Sequence, residues 1–472
     1  MLPVAICAPQ YRRAILWAAI LASSMGFIDS SVTAIALPAM RHALSASLAQ
    51  AQWFSAVYLL ALSALILAGG ALGDRFGTAR VFAAGIALFV LASLGCALAG
   101  SAEAMILARG LQGVAAALMV PGSMAIIGRA YPREERGQAL GLWAAASIAT
   151  TAAGPVLGGL ALTWHPDLGW RLVFALNLPL GLLALYLLRH AAADPGQPGR
   201  KIDLTGAALA TLGLGLIALA LTREDSRALP LGLAGAVVFA AFLAWQAWCA
   251  QPMIRLGMFQ SRSFAAVNLA TFLLYFAITG IGFYLPMVAV SAWGINELQV
   301  TAAFLPVSVM IATLSAPVGR LADRIGPGPL LAAGAALVAC AQAGLALTAG
   351  WGAFWTACVP LMWLSGLGMA LVVAPLTAAV MAAASDAEQG AASGINNAVA
   401  RASSLLAIAL MGRLASAGYG QIGSDTPGFG LTTAGAPHLA ATGTGFAHMA
   451  TLAACASAAS ALVSLYGLRR SS

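Results

Sequence analysis

Charged side chains are scarce in this sequence. Of 472 residues only 23 are Lys or Arg and 15 are Asp or Glu, 8% in all, where soluble domains carry about a quarter. With 61% apolar side chains and a mean hydropathy of +0.90, the chain cannot cover its surface with groups that water will wet. A water-soluble globular enzyme is excluded. Cysteine pairing is missing too. Cys7, Cys96, Cys249, Cys340, Cys358 and Cys455 are scattered with no CxxC or CxxxH spacing, so neither a disulfide framework nor a structural metal is expected. There is no basic run: the net charge of +8 is dispersed singly and in pairs at the ends of apolar segments, which argues against a nucleic-acid partner. Nor is there a DxxD-type acidic pair that would hold a metal for intramembrane transferase chemistry. Glu134 and Glu135 lie in a Pro/Arg-rich turn, and Asp386 and Glu388 in a short loop. Met1 to Arg13 is too short and too polar for a cleaved signal peptide, so the first apolar run reads as an uncleaved span.

What the chain does have is length in apolar runs. A spanning helix takes about 20 mostly apolar residues. Such runs fall at 14–38, 51–71, 80–100, 104–129, 138–162, 171–189, 203–222, 229–250, 264–290, 298–319, 329–349, 353–383, 389–412 and 444–468. The 51 glycines and 21 prolines would break soluble helices but are tolerated in membrane helices that pack closely and bend. An all-α polytopic bundle of fourteen spans follows, whereas a β-barrel would show short alternating segments. Lys and Arg set the orientation. With the N-terminus inside, sixteen of the 23 basic residues fall in inner loops or at the chain ends, among them Arg200, Lys201, Arg469 and Arg470. Five fall outside, Arg41, Arg171, Arg223, Arg227 and Arg413, and two, Arg109 and Arg401, inside spans. Both termini are therefore expected in the cytoplasm. The loop at 413–443, Gly/Thr/Ala-rich with the single acid Asp425, reads as a flexible outer connector.

One element occurs twice. Gly70-Ala-Leu-Gly-Asp74-Arg75-Phe-Gly77 closes the second run and Gly319-Arg-Leu-Ala-Asp323-Arg324-Ile-Gly326 closes the tenth. This implies two related six-helix halves, residues 1–200 and 263–472, with two extra spans inserted at 201–262. Glycine lets helix ends approach and turn, and an Asp-Arg pair can bind a neighbouring helix end in one state and release it in another. Each copy is thus either a turn that fixes topology or part of an inner gate.

Asp29 is the one carboxylate placed deep inside an expected span. A charge there costs about 2.5 to 3.5 kcal/mol, and a partner that comes and goes would switch it between holding and releasing a proton. Arg109 is the favoured partner, with Gln112 one helical turn away. Arg401 has no intramembrane acid in its own half. It is left to bind an anionic substrate group, to pair with Asp29 across a cavity, or to bond backbone carbonyls. Tyr58, Trp53, Asn268, Tyr275 and Tyr284 offer aromatic and hydrogen-bonding surface for a cavity or anchors at the membrane interface. Gly154, Pro155, Gly158 and Gly159 form a small-residue face for close packing and bending.

In combination these segments resemble the major facilitator superfamily, specifically its fourteen-span drug:proton antiporters. The resemblance rests on Phe27-Ile-Asp29 through Pro38, Gly70 to Gly77, Leu107-Ala-Arg109-Gly-Leu-Gln112-Gly113, Gly154-Pro155-Val-Leu-Gly158-Gly159, and Trp170 through Asn177-Leu-Pro179-Leu-Gly181. Departures from the family pattern are Thr78-Ala79, where further basic residues are usual, Thr150 in place of an earlier glycine, and Ala402-Ser403-Ser404 after Arg401. The resemblance implies a secondary transporter of the bacterial cytoplasmic membrane, driven by the proton gradient without a cofactor. It would export hydrophobic or amphipathic small molecules by alternating access. Asp29, Arg109 and Gln112 would couple protons, Tyr58, Asn268, Tyr275 and Arg401 would line the substrate cavity, and Gly70, Asp74, Arg75, Gly77, Asp323, Arg324, Gly154 and Pro155 would gate. A dedicated exporter or importer of one metabolite is the alternative on the same fold, and a periplasmic adaptor is left open. One negative against two positive deep charges suits a neutral or monovalent substrate better than a dication. Exchange of one proton for a neutral compound draws on about 1.4 kcal/mol per pH unit and about 2.3 kcal/mol per 100 mV of membrane potential.

Overall fold

A computed structural model describes residues 7–165, 167–191, 196–197, 199, 202–385, 388–422, 428–431 and 435–468, the side chains of Arg133 and Ile148 apart. Arg200, Lys201, Asp386, Asp425, Arg469 and Arg470 lie outside the described residues. The helices are α1 (Arg12–Ala43), α2 (Leu48–Phe76), α3 (Thr78–Ala97), α4 (Ala102–Ala130), α5 (Arg133–Trp164), α6 (Gly169–Ala175), α7 (Asn177–Leu188), α8 (Leu204–Thr222), α9 (Ala228–Trp248), α10 (Arg262–Ser291), α11 (Glu297–Ile325), α12 (Pro327–Thr348), α13 (Val359–Ala382), α14 (Gln389–Gly420) and α15 (Ala436–Gly467). No strand occurs among the described residues, and fourteen helical stretches are long and apolar enough to cross a membrane. The start of α1 and the end of α15 lie on one face, here the terminal face, and the opposite face is the distal face.

Most apolar runs became helices a few residues longer than their hydrophobic stretch. The sixth is divided into α6 and α7. Pro179 has no N–H to offer the carbonyl of Ala175, so the hydrogen-bond ladder is interrupted around Leu176 while the span continues to Leu188. The 413–443 loop is not the connector expected from its composition. The last two turns of α14 and the first turns of α15 grow into it. Phe429 is buried against Tyr284 and Tyr419, and Arg41 of α1 donates to the Phe429 carbonyl at 2.7 Å.

The internal repeat extends to how its helices start and stop. At the N-terminus of α2 the Ser47 hydroxyl accepts from Gln50 N and the Gln50 amide accepts from Ser47 N. At the N-terminus of α11 Asn296 and Gln299 do the same. These reciprocal pairs satisfy backbone donors left open by helix geometry. Both helices then end on a glycine with positive φ, Gly77 at 98° and Gly326 at 87°, where a Cβ would be strained.

Helices α1 to α7 pack on one another, as do α10 to α15, while α8 pairs with α9 and lays one side against α2 and α14. The inserted pair is fastened at both ends. Trp53 Nε1 donates to Thr222 Oγ1 at 3.1 Å. The buried Asp203 carboxylate caps α8 by accepting from Gly206 N at 2.7 Å and receives Trp245 Nε1 at 2.8 Å and Gln246 Nε2 at 2.6 Å from α9. Trp53 thus bolts α2 to the inserted pair.

The two halves meet along α2 and α14, where Leu67 lies 2.8 Å from the place a Cβ on Gly394 would take, and at further contacts toward the distal face. There α1 packs on α10, and the outer ends of α5 and α11 touch, with Gly159 against Leu298 and Thr301. Gln52 of α2 donates to the Tyr284 hydroxyl at 2.7 Å, and Tyr284 donates to the Ile408 carbonyl of α14 at 2.5 Å. Toward the terminal face α4 and α13 make no extended contact with one another among the described residues.

Candidate functional site

The centre of the N-terminal group is a buried polar cluster built on α1, α2, α3, α4 and α7. Asp29 sits mid-length on α1 and is 1% exposed. Arg109 and Gln112, three residues apart and so on one face of α4, reach it together. Arg109 donates one NH1 to Asp29 Oδ2 at 2.5 Å and to Gln112 Oε1 at 2.6 Å, and Gln112 Nε2 donates to Asp29 Oδ1 at 2.9 Å. Both carboxylate oxygens are therefore occupied. Arg109 Nε donates to the Phe54 carbonyl at 2.8 Å, and its guanidinium lies over the rings of Tyr58 and Phe174. The sequence-based grouping of Asp29, Arg109 and Gln112 corresponds to one contiguous site in the structure.

Residues that the sequence did not mark complete the cluster. Ser93 of α3 accepts from Gln112 Nε2 at 2.9 Å and from Asn177 Nδ2 of α7 at 3.2 Å. Cys96 Sγ lies 3.7 Å from Gln112 Oε1. The Asn177 carbonyl oxygen is buried without a hydrogen-bond partner among the described residues, so the chain of amides and hydroxyls ends on a free acceptor. The motif around Asn177 was visible in the sequence, but its connection to Asp29 runs through a serine no spacing rule picks out. Ion pair, amide and hydroxyl together make a compact acceptor and donor network in a low-dielectric interior, where each charge is held only by its neighbours.

The other expected cavity residues separate. Tyr58 is 4% exposed and lies against the Arg109 guanidinium, so it belongs to the ion-pair cluster. Asn268 is buried as well: its amide nitrogen donates to the Phe264 carbonyl at 2.8 Å and its oxygen accepts from Asn396 at 3.2 Å, leaving little to offer a ligand. Tyr284 serves the distal latch. Tyr275 and Arg401 do line a cavity of about 190 Å³ between α10, α13 and α14, in the C-terminal group. Arg401 is hydrogen-bonded neither to Asp29 nor to any described backbone carbonyl, and its buried Nε is unpartnered among the described residues. Two of the three options left open for it are thereby excluded in this state.

Gly154 and Pro155 occupy a true close approach. A Cβ on Gly154 would collide with Ser31 of α1, one on Gly158 would press on Val32 at 2.8 Å, and one on Gly159 would press on Leu298 of α11 at 2.8 Å. The stripe thus holds α5 against α1 on one side and α11 on the other. The two Asp-Arg loops are not joined. Asp323 and Arg324 are exposed and make no hydrogen bond or ion pair among the described residues. Arg75 lies over Phe76 at 5.1 Å, and Gly70 and Gly77 bracket the last turns of α2, whose Asp74 carbonyl accepts from Gln197 N at 2.8 Å. Other ion pairs sit on the surface: Arg12 to Glu135 at 3.3 Å, Arg255 to Glu388 at 3.5 Å, and Arg223 to Asp225 at 2.5 Å, where Arg223 holds the Asp225 carboxyl below its ordinary range. No cluster of three or more His, Cys, Asp or Glu with metal-binding geometry occurs among the described residues.

Comparison with known proteins agrees with this architecture. The chain is 32% identical over 433 residues to the tetracenomycin C resistance and export protein of Streptomyces glaucescens, covering 87% of this chain and 78% of the relative. It is 29% identical over 395 residues to the methylenomycin A resistance protein of Streptomyces coelicolor, with 82% of each chain covered. Among solved structures, a bacterial homologue of the human lysosomal transporter Spinster, in an inward-facing and occupied conformation, superposes with a TM-score of 0.69 at 17% identity, over 97% of both chains. The family model described as the Major Facilitator Superfamily matches residues 19–408. With this match across most of its length and fourteen spans in the same fold, the chain is a multi-pass membrane transporter and belongs to the major facilitator superfamily.

Proposed function

We propose that this transporter exports hydrophobic or amphipathic small molecules from a bacterial cytoplasm across the inner membrane in exchange for protons. The observation that carries the reading is the buried Asp29 carboxylate, bonded to Arg109 and Gln112 on α4. Protonation of Asp29 would cancel the attraction to Arg109 and leave the guanidinium to its remaining partners, the Phe54 carbonyl and the Tyr58 ring. That exchange alters how α1 sits on α4, and α1 is also the helix that packs on α10 and α5. A single titration thus bears on the contacts that close the distal face.

The excess of basic loop residues supports a cytoplasmic terminal face. In that orientation the structure is closed to the outside by the Gln52, Tyr284 and Ile408 latch and by Arg41 on Phe429. The cavity beside Arg401 then takes substrate from the inner side, and the parted Asp-Arg loops are those that would draw together when the transporter turns outward. The resistance and export names of the relatives support efflux over uptake.

The test is substrate-induced collapse of a pre-formed pH gradient in everted vesicles carrying the full chain, with Asp29→Asn as control. The expected result is proton release on addition of an exported compound, lost in Asp29→Asn. Uphill export that persists in Asp29→Asn removes the carboxylate from the mechanism.

A further inference from the structure

The interior holds two arginines in opposite circumstances. Arg109 is matched by Asp29, whereas Arg401, mid-length on α14, makes no ion pair among the described residues. Its Nε is buried without a partner, and the cavity it borders contains no Asp or Glu. The same cavity is lined by Asn396, Asn397 and Tyr275, which supply neutral polar groups, and by Met369 and Leu376, which supply an apolar wall. Asn396 is itself held in place, donating to Thr271 at 2.8 Å and to Asn268 at 3.2 Å. A cation kept at membrane depth without a counter-charge faces a ligand path or an ion path. A planar guanidinium with free donors is suited to the oxygens of an anionic group.

We propose that Arg401 is the anion-binding end of the substrate cavity and that the compounds transported include organic monoanions with an apolar body. A volume of about 190 Å³ accepts one or two fused rings, with anything longer extending from the open side. Met369 and Leu376 bury the apolar body while Arg401 takes the charged group. The inference rests on the transport reading for its context, but it concerns binding alone and is tested without a proton gradient.

The experiment is equilibrium dialysis of the purified full chain in dodecyl maltoside, with empty micelles subtracted, against three tritiated probes of one shape. These are naphthalene-1-sulfonate, neutral 1-naphthylmethanol and cationic (1-naphthylmethyl)trimethylammonium. The unmodified protein is expected to bind the sulfonate about tenfold or more tighter than either of the others. Arg401→Gln should erase that preference while leaving the alcohol unchanged, and Arg401→Lys should retain part of it. Equal binding of the three probes by the unmodified protein overturns the proposal without recourse to any variant, as does a sulfonate preference that survives in Arg401→Gln. Asp29→Asn keeps the sulfonate preference and loses proton-linked transport, so failure of the anion site and failure of the coupling reading are separate results.

Discussion

Neutralising the buried ion pair one side at a time, and then on both sides, separates its structural from its coupling role. The Asp29 and Arg109 side chains are 0% and 2% exposed and 2.5 Å apart. Removing one charge from a buried pair strands the other, at a cost of about 3 to 5 kcal/mol. Asp29→Asn keeps an acceptor for Gln112, and Arg109 retains the Phe54 carbonyl and the Gln112 amide oxygen, so the lower end of that range applies. Arg109→Gln leaves Asp29 with Gln112 alone and belongs at the upper end. The double variant Asp29→Asn, Arg109→Gln places two amides where the pair stood and strands no charge. It should recover most of the loss, costing about 2 kcal/mol where the two single costs sum to about 8, an interaction energy of about 6 kcal/mol across the cycle. Unfolding by SDS titration in mixed micelles measures the stability, and collapse of the pH gradient in everted vesicles measures coupling. The expected pattern is a stable double variant that moves no protons with substrate. A double variant that still exchanges protons for substrate refutes the reasoning, because a site that couples through charge cannot do so after both charges are gone.

Other predictions follow from particular contacts. Tyr284→Phe removes the donor to the Ile408 carbonyl and the acceptor for Gln52, so the distal face should open more often, read as faster alkylation of a cysteine placed on the distal half of α2. Gly412→Ala should have the same direction of effect, since its Cβ would displace the Gln52 amide and the Tyr284 hydroxyl, both able to move. Gly69→Ala instead meets the backbone carbonyl of Ala117, which cannot, and should reduce the amount of folded protein recovered by size-exclusion chromatography. Asp203→Asn weakens the cap of α8 and its bonds to Trp245 and Gln246, and should cost about 1 to 3 kcal/mol of stability in the SDS titration, with proton-linked transport retained.

The spans and the ion pair were legible in the sequence for the same physical reason. A lipid interior penalises unpaired backbone groups and charges strongly enough that both must appear as patterns, long apolar runs in one case and isolated ionisable residues in the other. The repeat was legible because glycine at a positive φ has few substitutes, and Gly77 and Gly326 both need it. The 413–443 loop misled because its composition is that of a linker, while its packing depends on a single aromatic, Phe429, and on a carbonyl that Arg41 finds from the other end of the chain.

Which way a polar residue faces was harder to read, because these helices are apolar on nearly every side and so give no periodic signal to orient them. Tyr58 and Tyr275 have the same chemistry in the sequence. Yet one lies under Arg109 and the other borders the cavity, a difference set by rotation of helices against neighbours distant in the chain. Ser93 was invisible for a related reason: a buried hydroxyl costs little when bonded, so nothing in the sequence distinguishes the serine that joins Gln112 to Asn177 from one that bonds its own helix. Charges announce themselves in such a chain and neutral polar groups do not. A charge's partner, however, is legible only when it too is charged. That is why the sequence predicted Arg109 to face Asp29 but left Arg401 with three choices, and why the structure, by leaving Arg401 unmatched beside a cavity, directs attention to the ligand as the missing partner.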